Sequence, residues 1–552
     1  MNNIEWDAEA DVVVVGTGAA GSAAASTAAA RGASVVMVEK ASSIGGTTIK
    51  SGGSPWIPNN FALREQGIED KKEECLKFLA RANYPELYNP DGDRFGLPSD
   101  LYDLLAAYYD NWYRAIDFFM KKDICQFVQW KPLVSDYVDH VPENKVLRGR
   151  ALAAANREGG MGAGADLIRQ FSAWIKEKGI EVLLEHEVQR ILMNEKGEAT
   201  GIEAKGKDGG IRRIRGRKAV IFGCGGYTHN PGLMLHFQKG PTYGGCAVPT
   251  NTGDLICMGT AVGTQLANMN GAWNAQIPLE QALDNPSTPN DIWQPIGDSM
   301  ILVNKYGKRV VNEKRSYNDR TKVHFYWDPV EQEYPNQILC MIYDGRTAGA
   351  FGESYSTYPL PDSGLPEKFV LSGKNWDELA ENIRRRVSEL APRLGCWRLD
   401  KSFGENLRET VGRFNGFARE GVDKDFHRGD FPYDVEWHTN FFSVFDKNSK
   451  WPANDLPNIT MHPFTDEGPY YCILLAAGTL DTNGGPKIDS KARMLDTENK
   501  PIPGLYGAGN CIAAPMPNYV SGGATIGNAL TFGYVAGMNA VNEPERQHRA
   551  EI

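Results

Sequence analysis

The chain has 552 residues, of which 41% are hydrophobic and 23% are charged, and its formal net charge is −10. This length predicts two or three domains, because a single hydrophobic core stops growing at about 250–300 residues. The negative charge argues against nucleic acid and anionic membrane surfaces as binding partners.

Nine cysteines are scattered along the chain and form no Cys-x-x-Cys pair. Such a set is typical of reduced thiols in the cytoplasm rather than of a disulfide framework or a metal cluster. The first residues lack the basic and apolar regions of a signal peptide, and no apolar run approaches ~18 residues. We therefore expect a cytoplasmic protein without a membrane span or a metal site.

The first forty residues predict a dinucleotide-binding unit. An apolar strand at Asp11–Val15 leads into Gly16-Thr-Gly18-Ala-Ala-Gly21, then into an Ala-rich helix and a second strand that ends at Glu39. Gly16 permits the tight turn, Gly18 lets the backbone approach a pyrophosphate, and Gly21 lets the helix pack closely on the strand. The helix N-terminus offers N–H groups to the phosphates, and Glu39 is placed to accept hydrogen bonds from ribose hydroxyls.

Beyond this unit, helical and strand patterns follow one another. Helical periodicity is predicted within 65–125 and again from Gly164, short strands are predicted at 180–185 and 189–192, and Lys218–Phe222 reads as a buried strand that runs into glycines.

The composition shifts toward Pro, Trp, Tyr and charged residues after about residue 275. Helical stretches are predicted near 376–393 and 405–420 within this block. The shift predicts an inserted catalytic domain at 276–461, between the two parts of the dinucleotide-binding domain at 1–275 and 462–552.

Glycine-rich segments return near Gly223 and Gly509, far apart in the sequence. A split site of this kind suits FAD, a long molecule held by the first unit and by the last hundred residues. Together with the segment Gly45-Gly-Thr-Thr48 and the ending Gly504-Leu-Tyr-Gly-Ala-Gly-Asn510, these segments resemble the flavoprotein superfamily of fumarate reductases, succinate dehydrogenases and 3-ketosteroid dehydrogenases. The resemblance covers nearly the whole chain. It implies an α/β fold, with a Rossmann-like FAD-binding domain and an inserted α+β catalytic domain that caps it.

The same resemblance implies which residues bind FAD. They lie in the first unit, in the segment after it, in two central strands and in the C-terminal segments: Gly16, Gly18, Ala19, Ala20, Gly21, Glu39, Lys40, Gly46, Thr47, Thr48, Ser51, Gly52, Gly53, Val188, Gly223, Gly225, Gly226, Gly509, Asn510, Asn528, Ala529 and Leu530. In this superfamily the closing helix points its N-terminus at the flavin. Here Gly527, Asn528 and Ala529 are expected to supply that positive end, which stabilises negative charge on the reduced flavin.

Succinate dehydrogenases attach FAD to a histidine that lies shortly after the first glycine unit. This chain has Thr47, Thr48, Ile49 and Lys50 there, and no histidine precedes His140. We therefore expect FAD to be bound without a covalent link.

Fumarate reduction requires cationic side chains that clamp two carboxylates. The reductases of the superfamily carry a His-His-Thr-x-Gly-Gly motif and an arginine in a His-Gly-x-Asn-Arg run for this purpose. At those places this chain has Gly478–Gly485 and Met516–Gly523, with neither histidine nor arginine. A carboxylate clamp of that type cannot be built from these residues.

Two segments instead resemble the 3-ketosteroid dehydrogenases and the smaller cyclohexanone-type ketone desaturases. They are Ser51-Gly-Gly-Ser-Pro-Trp-Ile-Pro-Asn-Asn60 and Lys308–Asp319. The resemblance places Tyr519 and Gly523 at the carbonyl-binding positions and Tyr317 at the position of the base. Tyr137 is the candidate for the second tyrosine that supports this base.

Desaturation beside a ketone removes an α-proton and passes a β-hydride to the flavin. The α-proton becomes acidic when donors hold the carbonyl oxygen and favour the enolate. The Tyr519 hydroxyl and the Gly523 N–H would be these donors, and Tyr317 would take the proton. Because a free tyrosine has a pKa near ~10, Tyr317 must be activated by a neighbour or by stabilisation of the enolate.

One position departs from the Δ1-dehydrogenases, which follow the carbonyl-binding tyrosine with Pro-Gly. This chain has Val520-Ser521 there, and Tyr-x-Ser-Gly resembles Δ4-desaturating relatives in which the serine relays a proton. Ser521 is therefore a candidate catalytic residue. The position of the new double bond stays open, as does the choice between a 3-oxosteroid and a monocyclic ketone.

The leading hypothesis is an FAD-dependent dehydrogenase that desaturates a six-membered cyclic ketone and passes the electrons to an unidentified acceptor. A second hypothesis is an enoate reductase of the fumarate or urocanate reductase type, with Lys314 or Arg315 facing the substrate. A third is a non-catalytic flavoprotein-like carrier, in which the glycine unit supports a protein-binding surface.

Overall fold

In this computed structural model, the structure describes residues 5–288, 297–349, 369–445 and 452–546. These residues contain α-helices throughout the chain: α1 (Ala19–Ala30), α2 (Phe61–Glu65), α3 (Lys72–Asn83), α4 (Ser99–Lys121), α5 (Gly164–Glu177), α6 (Pro231–Phe237), α7 (Asp254–Ala261), α8 (Leu279–Asp284), α9 (Tyr317–Thr321), α10 (Gly345–Gly349), α11 (Trp376–Leu390), α12 (Phe403–Glu420), α13 (Pro432–Phe445) and α14 (Ala524–Ala540).

The same residues contain the strands of two larger sheets and two small ones. The strands are β1 (Ala8–Val15), β2 (Val35–Val38), β3 (Phe127–Gln129), β4 (Leu152–Ala154), β5 (Glu181–Leu183), β6 (His186–Met193), β7 (Ala199–Gly206), β8 (Ile211–Phe222), β9 (Leu266–Ala267), β10 (Ala272–Pro278), β11 (Met300–Val303), β12 (Ile338–Asp344), β13 (Leu371–Gly373), β14 (Tyr470–Thr482), β15 (Gly485–Pro486), β16 (Arg493–Leu495) and β17 (Pro501–Gly507).

The first sheet contains the predicted dinucleotide-binding unit. Its strand order is β16-β17-β8-β1-β2-β5, and β7 joins it through β8 with β6 alongside. β1 lies between β2 and β8 and is parallel to both, with Val13 paired to Val36 and Val220. All four valines at 12–15 are buried, because both faces of a parallel sheet are covered. The predicted α/β fold class is confirmed.

Two glycines bring β1 and α1 together as predicted. Gly16 has a φ of +97°, and a Cβ at this position would lie 2.5 Å from the carbonyl oxygen of Gly223. A Cβ on Gly21 would lie 2.0 Å from the carbonyl oxygen of Gly16. Only glycine fits at either position.

The last helix, α14, packs along α1. Both helices are rich in small residues, and a Cβ on Gly533 would lie only 2.5 Å from the carbonyl oxygen of Ala20. This close approach brings the C-terminal segment beside the first glycine turn, which is what a split FAD site requires.

The second sheet is antiparallel, with the order β10-β14-β12-β11 and with β13 paired to β14. Helices α11 and α12 cover it, burying Leu379 and Leu407 in one cluster with Ile342 and Leu474. β10 begins before residue 276 and β14 lies after residue 461. The sheet therefore extends beyond the predicted limits of the inserted domain, and the division into 1–275, 276–461 and 462–552 stays a prediction.

Within the described ranges, no helix has the length and apolar character needed to cross a bilayer. In those same ranges, no cluster of three or more His, Cys, Asp or Glu side chains is arranged to hold a metal ion.

Candidate active site

A cavity of about 450 Å³ runs from the turn after β1 to the tyrosines of the inserted domain. It lies at the carboxyl ends of β1, β2 and β8, where ligands bind in open α/β sheets. The predicted site residues that line it are Gly16, Gly18, Ala19, Ala20, Glu39, Lys40, Gly46, Thr47, Thr48, Ser51, Gly52, Gly53, Val188, Gly223, Gly225, Tyr317, Gly509, Asn510, Tyr519, Ser521, Gly523 and Ala529.

Five predicted site residues lie outside the lining of this cavity. Gly21 packs against Gly16, and the Gly226 N–H donates to Asp481 over 2.9 Å. Leu530 is buried in the core, and the buried amide of Asn528 has no hydrogen-bond partner among the described residues. Tyr137 lies directly behind the cavity wall, in contact with two residues that form it.

The carboxylate of Glu39 is held in place at the end of β2. It accepts hydrogen bonds from the Thr17 N–H at 3.0 Å, from the Thr17 hydroxyl at 2.6 Å and from the Ala41 N–H at 2.8 Å. Gly18 is the N-cap residue of α1 and lies beside this carboxylate. The nearest atom to a Cβ on Gly18 would be the Thr48 hydroxyl oxygen, at 3.5 Å. A bare glycine backbone, a helix N-terminus and an oriented acid fit the pyrophosphate and ribose of FAD.

Lys40 joins three elements at the same end of the cavity. Its Nζ donates to the Thr252 hydroxyl over 2.8 Å and forms ion pairs with Glu187 at 2.8 Å and with Asp254 at 3.1 Å. The lysine therefore ties β2 to β6 and α7, and its charge is already matched by two carboxylates.

Helix α14 begins one turn earlier than predicted. Gly523, at a φ of +90°, precedes its first residue, and the Gly527 N–H already donates to the Gly523 carbonyl over 2.9 Å. The prediction that Gly527, Asn528 and Ala529 supply the free N-terminal N–H groups is therefore wrong, because the helix has engaged them. The residues of the first turn that face the cavity are Thr525 and Ile526.

Three tyrosine rings meet at the far end of the cavity. The centroid of Tyr317 lies 5.3 Å from that of Tyr137 and 5.6 Å from that of Tyr519. Tyr317 opens α9 directly after the capping residue Ser316. Burial, with the neighbouring tyrosines, raises the pKa of Tyr317 and of Tyr137 well above 10, so both are neutral phenols at pH 7.

Tyr519 and Gly523 lie at the two ends of one tight loop. The Gly523 N–H donates to the Tyr519 hydroxyl oxygen over 3.3 Å. The Gly523 carbonyl accepts from the Trp56 N–H over 3.0 Å, and a Cβ on Gly523 would lie 2.2 Å from the Ser54 carbonyl oxygen. The segment Ser51–Trp56 thus supports the loop that carries the predicted carbonyl-binding pair.

Arg315 connects Tyr137 to the start of α9. Its Nη2 donates to the Tyr137 carbonyl over 2.8 Å, and its guanidinium pairs with Asp139 at 2.7 Å and with Asp434 at 3.1 Å. The Lys314 ammonium donates to the Gly297 carbonyl over 2.6 Å. Neither cation lines the cavity, and within the described lining residues there is no arginine and Lys40 is the one lysine.

Asp136 is a cavity residue that the sequence analysis missed. It accepts hydrogen bonds from the Trp56 indole at 2.8 Å and from Arg150 at 2.7 Å, and it lines the cavity together with Ser521. Burial raises the pKa of Asp136, and Arg150 only partly opposes this. The one feature of the sequence that could have identified Asp136 is its position directly before the candidate residue Tyr137.

Asp481 is a second missed residue. It accepts hydrogen bonds from the Gly226 N–H, from the Asn251 amide at 2.7 Å and from the Asn510 amide at 3.1 Å. The side-chain oxygen of Asn510 in turn accepts a hydrogen bond from the Trp273 indole at 3.0 Å. Asp481 thereby fixes the orientation of Asn510. The sequence feature that could have identified Asp481 is an acidic residue within Gly478–Gly485, the segment where the reductases carry histidines.

Comparison with known proteins extends these findings. Residues 11–526 match the family described as the FAD binding domain. A 3-oxosteroid 1-dehydrogenase of Mycolicibacterium smegmatis is 30% identical to this chain, over 96% of this chain and 97% of the relative. A 4-oxocyclohexanecarboxylate 2-dehydrogenase of Sinomonas cyclohexanicum is also 30% identical, over 97% of this chain and 93% of the relative.

The fold has a counterpart among solved structures. The crystal structure of 3-ketosteroid Δ1-dehydrogenase from Sterolibacterium denitrificans, in complex with 1,4-androstadiene-3,17-dione, matches with a TM-score of 0.78 at 23% identity. The match covers 97% of this chain and 99% of that one. At this identity the likeness establishes the architecture of the chain.

The predicted resemblance, FAD as the cofactor and an FAD-dependent dehydrogenase as the class of enzyme are confirmed by these matches. The family match spans both glycine segments that form the split site, and each relative is matched along nearly its whole length. The chain therefore belongs to the FAD-binding family of flavoproteins, alongside the 3-oxosteroid and 4-oxocyclohexanecarboxylate dehydrogenases.

Proposed function

We propose that this dehydrogenase introduces a double bond beside the carbonyl of a six-membered cyclic ketone, either a 3-oxosteroid or a cyclohexanone-type compound. The observation that carries the proposal is the pairing of the Tyr519 hydroxyl with the Gly523 N–H, next to Tyr317. Two hydrogen-bond donors and a neighbouring phenol are what enolisation of a ketone requires.

The carbonyl oxygen of the substrate would be held by Tyr519 and Gly523. Both donors lie in a loop fixed at its ends by Trp56 and α14, so that only the hydrogen bond between them has to be exchanged when the oxygen enters. Preorganised donors of this kind stabilise an enolate far better than water does. The α-proton is thereby made acidic enough for a protein base to remove.

Tyr317 would accept the α-proton from the side of the inserted domain. Its phenol is neutral and deeply buried, and its ring contacts those of Tyr137 and Tyr519. As Tyr317 takes the α-proton, it would pass its own hydroxyl proton to Tyr519, which would in turn give its proton to the carbonyl oxygen that it holds. When bound, FAD supplies the acceptor for the hydride that leaves the β-carbon.

The walls around this end of the cavity favour an uncharged ring. Trp130, Val134 and Trp437 line the cavity, and the ring of Trp437 lies 5.9 Å from that of Tyr137. Neither Lys314 nor Arg315 faces it, so the side chains that an enoate reductase would need for a carboxylate are bound elsewhere. The two relatives are dehydrogenases of a 3-oxosteroid and of 4-oxocyclohexanecarboxylate, which supports a ring ketone as the substrate.

The test is the anaerobic bleaching of the yellow enzyme by a panel of saturated ketones. The panel contains cyclohexanone, 4-oxocyclohexanecarboxylate and a saturated 3-oxosteroid, with an open-chain ketone as the control. We expect loss of the flavin absorbance near 450 nm with at least one ring ketone, and an enone as the product. An unchanged spectrum across the panel would refute the proposal.

The same preparation tests the enoate reductase hypothesis. Reoxidation of chemically reduced enzyme by an unsaturated acid, but not by an enone, would favour that activity instead. We also propose that FAD is held without a covalent bond, since Thr47 and Thr48 stand on the cavity wall. Acid precipitation should then leave all of the flavin in the supernatant.

A further inference from the structure

Asp481 is a buried carboxylate on the cavity wall that neutral groups hold in place. It is 2% exposed, lies at the end of β14 and lines the cavity beside the C-terminal glycine segment. Five hydrogen bonds reach it from neutral donors: the Thr228 hydroxyl at 3.0 Å, the Thr482 N–H at 2.9 Å, the Gly226 N–H at 2.9 Å, the Asn251 amide at 2.7 Å and the Asn510 amide at 3.1 Å.

These partners suit the ionised form of Asp481. The two backbone N–H groups can only donate, and the Asn510 oxygen is already occupied by the Trp273 indole, so its amide group faces the carboxylate as a donor. A protonated carboxyl would turn one of its oxygens into a donor and lose part of this set. Burial raises the pKa of Asp481, and the hydrogen bonds from Gly226, Asn510 and Thr228 oppose that rise.

Within the described lining of the cavity, no cation balances this charge. The one lysine there, Lys40, is paired with Asp254 at the Glu39 end, and the one histidine, His186, is bound to a backbone carbonyl. No arginine belongs to that lining. A buried charge of this kind acts over a longer distance than a charge in water, because little solvent screens it.

A short chain of contacts connects Asp481 to the tyrosine end of the cavity. Its partner Asn510 accepts from the Trp273 indole at 3.0 Å, and the ring of Trp273 lies 5.3 Å from that of Tyr519. When the pyrophosphate of FAD occupies the turn at Gly16, the redox-active ring of FAD is directed toward this end. Asp481 therefore lies on the flavin-ring side of the cavity, away from Lys40.

We propose that the negative charge of Asp481 lowers the reduction potential of the bound FAD. Uptake of a hydride brings two electrons and one proton to the flavin and so adds one negative charge, which the carboxylate repels. The reduced flavin then gives up its electrons more readily to the acceptor that reoxidises it. This inference goes beyond the proposed function, because it rests on FAD as the cofactor and not on the ketone.

The N-terminus of α14 acts with the opposite sign. Its first turn faces the cavity through Thr525 and Ile526, and the positive end of a helix dipole stabilises negative charge. The backbone of the helix cannot be changed without changing the fold, whereas the charge of Asp481 depends on one side chain. The potential can therefore be shifted by a substitution at Asp481.

The expected effect is about tenfold in the equilibrium between oxidised and reduced flavin. Two unit charges about 12 Å apart, at an effective dielectric constant of about 20, shift an equilibrium by this factor. Tenfold corresponds to about 30 mV for a two-electron couple. We therefore expect Asp481→Asn to raise the midpoint potential of the holoenzyme by about 30 mV.

Stepwise anaerobic reduction of the holoenzyme with dithionite, beside a reference dye of known potential, measures this shift without any substrate. Asp481→Ser makes the same charge change with a smaller side chain and should raise the potential in the same direction. Asp254→Asn is the matched control, because it removes an equal charge from the Lys40 end of the cavity. Its potential should shift by less than a third as much.

The double variant Asp481→Asn/Asn510→Asp separates charge from packing. The new amide at 481 can donate to the new carboxylate at 510, which can still accept from the Trp273 indole. The potential should then return to the wild-type value. A rise that persists in the double variant, an equal rise in Asp254→Asn, or an unchanged or lower potential in both neutral replacements of Asp481 would overturn the proposal.

These outcomes are independent of the proposed function. If the wild-type enzyme bleaches with no ring ketone, the proposed function fails, while the potentials of the variants still decide the role of Asp481. If the ketone bleaches the enzyme and the potentials do not move, the proposed function stands and this inference fails.

Discussion

The ring of Tyr137 meets the ring of Tyr317 edge to face, with 5.3 Å between their centroids and an interplanar angle of 78°. The two residues are 180 positions apart in the sequence, and both rings are buried. Tyr137 does not line the cavity, so its contribution reaches the substrate through Tyr317. The catalytic end of the site is thus assembled from both parts of the fold.

Tyr317→Phe should lower the rate of flavin bleaching by a ring ketone by about 100-fold or more, because it removes a general base. Stopped-flow absorbance under anaerobic conditions measures this rate. Tyr433→Phe is the matched control, since Tyr433 also contacts Tyr137 at 5.1 Å but does not line the cavity. A Tyr317→Phe enzyme that bleaches at the wild-type rate would remove Tyr317 from the mechanism.

Arg315→Met should destabilise the protein by about 3–5 kcal/mol, because it leaves the buried carboxylates of Asp139 and Asp434 without their cation. Urea unfolding followed by tryptophan fluorescence measures the change. Lys72→Met, which breaks an exposed pair with Asp110, should cost less than about 1 kcal/mol. Equal losses in the two variants would contradict the role assigned to Arg315.

Glu39→Gln should weaken FAD binding by about 10–100-fold, because hydrogen bonds to a charged acceptor contribute about 1.5–3 kcal/mol. The glutamine amide would also meet the Thr17 and Ala41 donors that now bind the carboxylate. Titration of the apoprotein with FAD, followed by flavin fluorescence, gives the Kd. Glu187→Gln, at the more exposed end of the Lys40 pair, should change the Kd much less.

His324 makes the stability of the fold depend on pH. Burial lowers its pKa from 6.5 to about 4, while an unfolded chain protonates it below pH 6.5. Its Nε2 faces the Gln276 amide at 3.0 Å, and Arg320 fixes that amide through a 2.7 Å bond to its oxygen. The free energy of unfolding should therefore fall as the pH drops, by about 2 kcal/mol between pH 7 and pH 5.

The comparison that isolates this effect uses His324→Gln, which cannot titrate. Its free energy of unfolding should depend less on pH over the same interval, whatever its stability at pH 7. Parallel profiles for the variant and the wild type would show that His324 is not the group responsible.

The β1–α1–β2 unit could be predicted because its information is local. The turn at Gly16, the close approach at Gly21 and the acid at Glu39 all follow from the spacing within thirty residues. The pairing of β1 with β8 could not be derived in the same way, since its partners, such as Val13 and Val220, are about two hundred residues apart.

The start of α14 was mispredicted for a related reason. Glycines stand at 522, 523 and 527, and any of them can precede a helix. Only the backbone conformation decides, and Gly523 takes the positive φ that ends the loop. The free N–H groups of the helix therefore shift by one turn toward Tyr519.

Motifs pointed to Tyr317 and Tyr519 because these residues lie in segments with recognisable neighbours. Asp136 could not be identified in this way. It is held by Trp56 and Arg150, which approach it from two other segments, and it shares the cavity wall with Ser521. Contacts between residues that are far apart in the sequence produce no periodic pattern in a single sequence.

The hydrogen bond from Gly523 to Tyr519 also bears on selectivity among carbonyl compounds. A ligand oxygen that enters this loop must compete with a bond the protein has already made, at 3.3 Å, so it replaces an internal partner as well as gaining a new one. A strong hydrogen-bond acceptor therefore displaces the Tyr519 hydroxyl oxygen from the Gly523 N–H more readily than a weak acceptor does.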